Sequence, residues 1–519
     1  MLESLLFVLV YFPVISGAGC ALFRSPRAIL MGSFLSVLVS FLIAVHLCVA
    51  VFSGDVVRSA RNWLFLDELS AFHLVIMTLV FLLSSLFAMG YYREEVRAGK
   101  LKLRQIRQHT VLWSGSLTAM TLVLLSNNLG LMWVGIEGTT LLTAFLISLH
   151  RTKPSLEAKW KYLIICSVGV GMAFIGTIFV GSAATTLRLG FQEAMMWSEL
   201  LKSASSLNPV FMKVAFLFAL VGYGTKVGLA PMHNWLPDAH SQAPSPVSAM
   251  FSGFMLSTAM YCLMRYVPLV EGATGNVGWS LELLRFFGMV SILVAAAFIV
   301  LQHDLKRLLA YCSVEHLGII ALGVGLGGLG TFAALYHTLN HSISKSFSFF
   351  AAGRLGQIYH SHDMDKMHQA IKVSPVWGIG ILSSLLSLVG MAPFAVFMSK
   401  LQIMRAAISG GYYYSFAVFV FGSVIIFISI LRDAISIVWG VEERSLETIE
   451  NELHGVAIDE SHEGAKSHDK GRIKAIRGQM WEWGLVVVCI SLLLVLGLYL
   501  PKELMDGMNR AAKIVGGGF

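Results

Sequence analysis

No two cysteines of this chain form a C-x-x-C pair; the six (Cys20, Cys48, Cys166, Cys262, Cys312 and Cys489) lie singly inside apolar stretches. Zinc, iron–sulfur and disulfide frameworks need paired or clustered thiols, so none has support. No strand is followed by a G-x-G-x-x-G turn and no P-loop occurs. The chain should therefore bind neither a dinucleotide nor a nucleoside triphosphate, and neither a metal nor a cofactor is expected. Charge is scarce too. Asp, Glu, Lys and Arg make up 13% of 519 residues, against 56% hydrophobic, which excludes an ordinary soluble enzyme. What remains is an all-α polytopic membrane protein.

The apolar runs repeat at the roughly 20-residue length that spans a bilayer. They predict about fourteen helices, near 4–23, 28–53, 69–91, 110–127, 129–149, 161–183, 208–231, 244–267, 282–302, 308–326, 331–358, 376–399, 412–439 and 480–500. The first has no basic flank ahead of it and reads as a span, not a cleaved signal. The net charge of +8 is not a nucleic-acid signal, because the bases cluster in alternate loops. Residues 91–109 hold six Lys/Arg, and 150–161, 302–309 and 440–479 add more, whereas 267–282 and 325–331 hold almost none. Basic loops stay cytoplasmic, so both termini are expected outside.

Against this background a few polar residues stand out. Lys226 ends an apolar run five residues ahead of Pro231. An ammonium at bilayer depth costs several kcal/mol (about 2.5–3.5 on insertion scales) and is usually functional. The proline opens the helix beside it, which is tolerated only where the break is buried in protein or lines a wet cavity. Glu137 is a carboxylate in the middle of another span, and an adjacent cation would set its proton affinity. "LYHTLNHSISKSFSFF" places His337, His341 and Lys345 at i, i+4 and i+8 on one helix face. Histidine titrates near neutral pH and a desolvated lysine can move towards it, so the stripe can carry protons.

Other groups read differently. Lys400 closes the twelfth run and on composition alone could snorkel to an interface. Glu315 and His316 are adjacent in the tenth span, point to different faces and need separate partners. Arg432 and Asp433 read as a neutralised structural pair; His303, Asp304, Lys306 and Arg307 read as a solvated cytoplasmic anchor. His454, His462 and His468, in the polar stretch 441–479, fit no metal-ligand spacing and read as a solvated loop. The tail places Leu504, Met505, Met508, Ala512 and Val515 at helical spacing and is expected along the interface. Finally, "VGLAP" at 227–231 recurs as "VGMAP" at 389–393, each late in a span with a lysine nearby. Interrupted helices in corresponding positions mark ion-translocating bundles built from repeats.

"KVGLAPMHNWLPDAHSQAPSPVSAM" (226–250), "QHDLKRLLAYCSVEHLGII" (302–320) and "LYHTLNHSISKSFSFFAAG" (335–353), with "LMWVGIEG" (131–138), carry a resemblance. The chain resembles the antiporter-like membrane subunits shared by respiratory complex I, Mrp-type antiporters and membrane-bound hydrogenases. Its "SVEHLG" wording and length look most like the hydrogenase-4 component F group. The resemblance implies fourteen helices with two inverted five-helix repeats, spans four to eight and nine to thirteen, with spans seven and twelve interrupted. It divides the chain into helices one to three (1–109), a first half-channel (110–267), a second (282–439), a cytoplasmic loop (440–479), and a last helix with its tail (480–519).

It also implies roles. Glu137 and Lys226 become the coupled pair of the first half-channel, Lys345 the linking lysine with His337 and His341 beside it, and Lys400 the terminal lysine. Relatives often carry a lysine or histidine in the eighth span, where this chain reads "FSGFMLSTAMY" with only Ser252 and Ser257. Those serines, with Glu315 and His316, are then the possible relay between the halves. The implied function is proton translocation in the prokaryotic plasma membrane, within a multi-subunit redox-driven complex whose other membrane subunits are its partners. The chain itself would make no covalent chemistry. A cation/proton antiporter subunit, with sodium as a possible ion, or the membrane part of an inorganic-carbon transport system, is the alternative.

Overall fold

The computed structural model describes residues 2–59, 62–185, 193–440 and 479–516. The expected loop histidines His454, His462 and His468 lie outside the described residues. The chain is helical almost throughout. Helices α1 (Leu2–Cys20), α2 (Pro26–Phe52) and α3 (Glu68–Arg97) come first, with a short hairpin between the last two, Val57–Ser59 against Leu64–Leu66. Then follow α4 (Leu103–Leu125), α5 (Leu129–Ile147), α6 (Lys153–Ala183) and the short α7 (Trp197–Lys202). Next come α8 (Pro209–Val227), α9 (Leu236–Gln242), and α10 (Ser245–Met250) running through a π-turn, Phe251–Met255, into α11 (Leu256–Thr274). The second part holds α12 (Trp279–Ile299), α13 (Leu305–Leu326), α14 (Leu329–Tyr359) and the short α15 (Ala370–Val373). It continues with α16 (Pro375–Val389), α17 (Ala395–Ser409) and α18 (Tyr413–Trp439), before α19 (Met480–Leu498) and α20 (Lys502–Val515).

Among the described residues, eleven helices are long and apolar enough to cross a membrane. Polar caps set their starts: Asp67, Asn128 and Asp304 each accept a hydrogen bond from a backbone N–H three residues on. The α10–α11 span and α13 are buried throughout, whereas α1 and α2 leave most of their apolar surface facing outward. The bundle therefore has an axis and a periphery. Glu315, His316, His337, His341, Lys345, Ser252 and Ser257 lie on or against that axis.

Both expected interruptions are present. Gly228, at φ 84°, ends α8, and Gly390, at φ 81°, ends α16. Only glycine adopts this left-handed turn without steric cost, so each "VG-x-AP" stops its helix at the same point. The seventh run accordingly ends at Val227, short of the expected 231, and the twelfth is two helices rather than one. The eighth runs past its expected end at 267, because Pro268 is carried inside α11; within a bundle, neighbouring groups can satisfy the backbone that proline frees. The tail forms α20. Its Met508, Ala511, Ile514 and Val515 are buried against the bundle, while Met505 is 38% exposed. Arg510 donates to the Phe52 carbonyl at 2.6 Å and sits 3.3 Å from Glu68, tying this helix to α2 and α3.

Candidate functional site

α14 carries His337, His341 and Lys345 on one stripe, and all three are fully buried. α13 lies beside it and brings a third imidazole. His316 Nδ1 and His337 Nε2 are 2.9 Å apart, and the His316 and His341 ring centroids are separated by 5.0 Å. His337 Nδ1 lies 2.9 Å from Ser399 Oγ on α17, while His341 Nε2 donates to the Ser252 carbonyl at 3.1 Å. That carbonyl belongs to the π-turn, where the helical bonding pattern shifts by one residue and a backbone oxygen can turn to a side chain. Lys345 donates to the Leu309 carbonyl, which also accepts from Ser313 Oγ at 3.1 Å. Ser313 and Ser252 share a 2.7 Å hydroxyl–hydroxyl bond.

Lys400 does not snorkel. Its Nζ lies 2.8 Å from Glu315 Oε1, both side chains are buried, and the ammonium also reaches the Val389 carbonyl at 3.4 Å. Glu315 and His316 thus take separate partners, as their opposite faces require. The sequence from Lys345 through Ser313, Ser252, His341, His316, His337 and Ser399 to Lys400–Glu315 is a line of polar groups inside the bundle. Backbone carbonyls interrupt it at two points, and these accept hydrogen bonds but cannot relay a proton. Glu315 Oε2, His316 Nε2 and His341 Nδ1 are buried with no protein partner. Such atoms are costly unless water meets them, so the line has the chemistry of a hydrated path.

The first half is built from hydroxyls. Lys226, fully buried in the last turn of α8, donates to Tyr162 at 2.5 Å and Thr140 at 3.0 Å, and lies 4.7 Å from the Tyr162 ring centroid. Tyr162 in turn bonds Thr143 at 2.7 Å. Glu137 is not in contact with Lys226. Its Oε1 accepts from Ser167 at 2.8 Å, and it stands one helical turn before Thr140. The expected couple is therefore spaced through a threonine and a tyrosine instead of closed as an ion pair. Of the two serines in the eighth span, Ser252 joins the second half's network, while Ser257 is buried with its hydroxyl unpartnered.

Several residues passed over in the sequence occupy telling places. His240, on α9, is fully buried, stacks on Phe349 at 4.9 Å and approaches Phe251 at 6.1 Å. Phe251 also approaches Tyr162, the partner of Lys226, and Phe349 approaches Lys345. An imidazole with both nitrogens unpartnered thus stands between the Lys226 cluster and Lys345. Its signal was present in "PDAHSQ", next to the first break. Lys306 is no solvated anchor: it is 2% exposed and donates to the Ala243 carbonyl at 2.5 Å. Its helix is capped by Asp304, and the Ala243–Pro244 link after α9 closes over it. Arg307 does bind Asp238, at 3.0 Å, and Arg432 binds Asp433, at 2.9 Å.

Midway along α11, Arg265 forms a bidentate 2.6 Å pair with Asp67 and lies over Trp197 at 4.3 Å. Arginine does not release its proton, so this pair is a staple. On the basic-loop face, a cleft of about 420 Å³ is lined by Glu95, Lys100, His150, Gln357 and His362. Glu95 accepts from His150 and Gln357, both at 3.0 Å. Burial, with the Lys306 and Lys100 charges, pushes the His362 imidazole down to about 3, so it is neutral at physiological pH. Among the described residues no cluster of three His, Cys, Asp or Glu is placed to hold a metal ion.

Comparison with known proteins places this geometry. Residues 126–426 match the family model described as NADH:quinone oxidoreductase/Mrp antiporter, transmembrane. The hydrogenase-4 component F homolog of Methylacidiphilum infernorum is 37% identical over 400 residues, 77% of this chain and 82% of its own. Hydrogenase-4 component B of Escherichia coli is 29% identical over 64% of this chain, which spans only 49% of that longer protein. A chain of the membrane-bound sulfane sulfur reductase, an archaeal respiratory membrane complex, superposes with a TM-score of 0.81 at 22% identity, covering 99% of both.

Proposed function

The chain belongs to the NADH:quinone oxidoreductase/Mrp antiporter family, and from that premise we propose that it is the proton-translocating membrane subunit of a multi-subunit, redox-driven complex in a prokaryotic plasma membrane. The observation that carries this reading is the buried line from Lys345 through His341, His316 and His337 to the Lys400–Glu315 pair. A membrane protein has no structural need to bury two lysines, three histidines and a carboxylate along one path, and the cost favours function. Partner subunits would supply the redox energy. Their charge or conformational changes would reach this chain as shifts in which lysine holds the proton.

In this reading the chain has fourteen spans, the α8–α9 and α16–α17 breaks lie in inverted repeats, and the basic loops face the cytoplasm. Protons enter by the Glu95 cleft, pass near Lys306 and His240, and load Lys345. The Lys226 cluster, with Glu137, forms the first half-channel, and Lys400 with Glu315 ends the second. The test is proton uptake by the reconstituted complex. Lys345→Met should abolish it while the complex assembles, and so should Lys345→Arg, because a guanidinium holds its proton. Full uptake by an assembled Lys345→Arg complex would show that a fixed charge suffices and would refute the relay. The antiporter alternative shares the same family model; uptake that requires sodium on the opposite side would favour it.

A further inference from the structure

Away from the proposed proton path, the start of α2 and the end of α3 form a partly open cavity of about 480 Å³ at the basic-loop end of the bundle. Arg27, Arg93 and Arg97 line it, and no carboxylate does. Arg97 has a partner beside the cavity, Glu94 at 3.0 Å. Arg93 does not: its Nε is buried with no acceptor. The rest of the wall is apolar, through Leu30, Met31 and Met89. Its outer edge is open, with Met31 at 49% exposure.

We propose that this cavity holds an anionic phospholipid, its phosphate on Arg27 and Arg93 and an acyl chain along the Leu30–Met31–Met89 wall. A guanidinium fork matches a phosphate by two parallel hydrogen bonds, and buried N–H groups without acceptors are the groups such an anion satisfies. Ordinary positive-inside residues need no cavity and leave their nitrogens to water. Here the cations border a partly open cavity whose other wall is greasy, the two-part chemistry of a lipid at the headgroup boundary. α2 is the right helix for it, because most of its apolar surface faces outward.

The experiment is native mass spectrometry of the full-length protein in mild detergent, titrated with phosphatidylglycerol, phosphatidylcholine or inorganic phosphate. The wild type should hold one phosphatidylglycerol in preference to phosphatidylcholine. Arg27→Gln/Arg93→Gln should weaken that binding roughly 30-fold and Arg93→Gln alone about fivefold, with Arg151→Gln, exposed in another loop, unchanged. Should the double variant fail to fold, the single variant and the wild-type lipid preference still decide the matter. Equal binding of both lipids, an unaltered phosphatidylglycerol adduct in Arg93→Gln, or displacement of the lipid by millimolar inorganic phosphate would overturn the proposal. So would a copurified subunit that crosslinks at residue 93 and leaves no lipid bound.

Discussion

Lys226 and Lys400 stand beside matching breaks, "VGLAP" and "VGMAP", yet they are solvated by the protein in different ways. Lys400 closes a buried ion pair with Glu315 at 2.8 Å. Lys226 has no carboxylate in contact; a phenol and a threonine hydroxyl hold it, and Glu137 stands off on Ser167. Position in the chain contributes to this difference. Lys226 ends the helix before its break, whereas Lys400 sits inside the helix after its break and reaches across to α13. A charge held by a counter-charge is costly to disturb, and one held by hydroxyls can change its proton at small cost to its neighbours. In the proposed reading, the second site is then the anchored end of the path and the first its responsive end.

The largest expected effect breaks the anchored end. Lys400→Ala leaves Glu315 as an uncompensated buried carboxylate and should cost about 3–5 kcal/mol of stability. Lys400→Met combined with Glu315→Gln should recover most of that loss, and thermal melts of the solubilised protein will read both. If the single and double variants melt alike, the pair is not anchored. A smaller effect belongs to the hydroxyl site. Tyr162→Phe removes one acceptor from a buried ammonium and should cost roughly 1.5–3 kcal/mol, less if Thr140 compensates. Proton uptake should fall with it, because the phenol stands between Lys226 and Thr143; unimpaired uptake would detach Tyr162 from the path.

His240 sharpens the comparison where the halves meet. His240→Phe preserves the stack on Phe349 and removes only the titratable nitrogens, so assembly and melting should stay near wild type while uptake slows. A variant that pumps normally would leave the halves coupled by something other than this imidazole. The smallest effect is at Ser257, whose hydroxyl has no protein partner. Ser257→Ala should shift stability by less than about 0.5 kcal/mol, whereas Ser257→Leu adds bulk to a packed helix and should slow uptake. Equal, normal rates in both would place Ser257 outside the path.

The features legible in the sequence were those that violate a local rule. A lysine in a greasy run, a histidine at i and i+4, or a proline late in a span is conspicuous without any neighbour. The α14 stripe, both helix breaks and the intramembrane carboxylates were all found that way. What escaped had a less conspicuous local setting. His240 sits in a polar stretch beside a break, and Lys306 in a basic turn, where burial leaves no mark on composition. Arg265 falls two residues before the expected end of its span at 267, where an interfacial anchor is ordinary, and its partner Asp67 is 198 positions away.

By itself, then, the sequence determined that the chain crosses the membrane many times, where its helices break and which residues are too costly to be there by accident. Apolar length and chirality at glycine act within a few residues of backbone, so they can be read along the chain. Which charge answers which was decided only by the tertiary structure. Glu315 and Lys400 are 85 positions apart, and Lys226 and Thr140 are 86 apart. A hydrogen bond is made at about 3 Å, and only the crossing of α13, α14 and α17, or of α5, α6 and α8, brings those atoms within it.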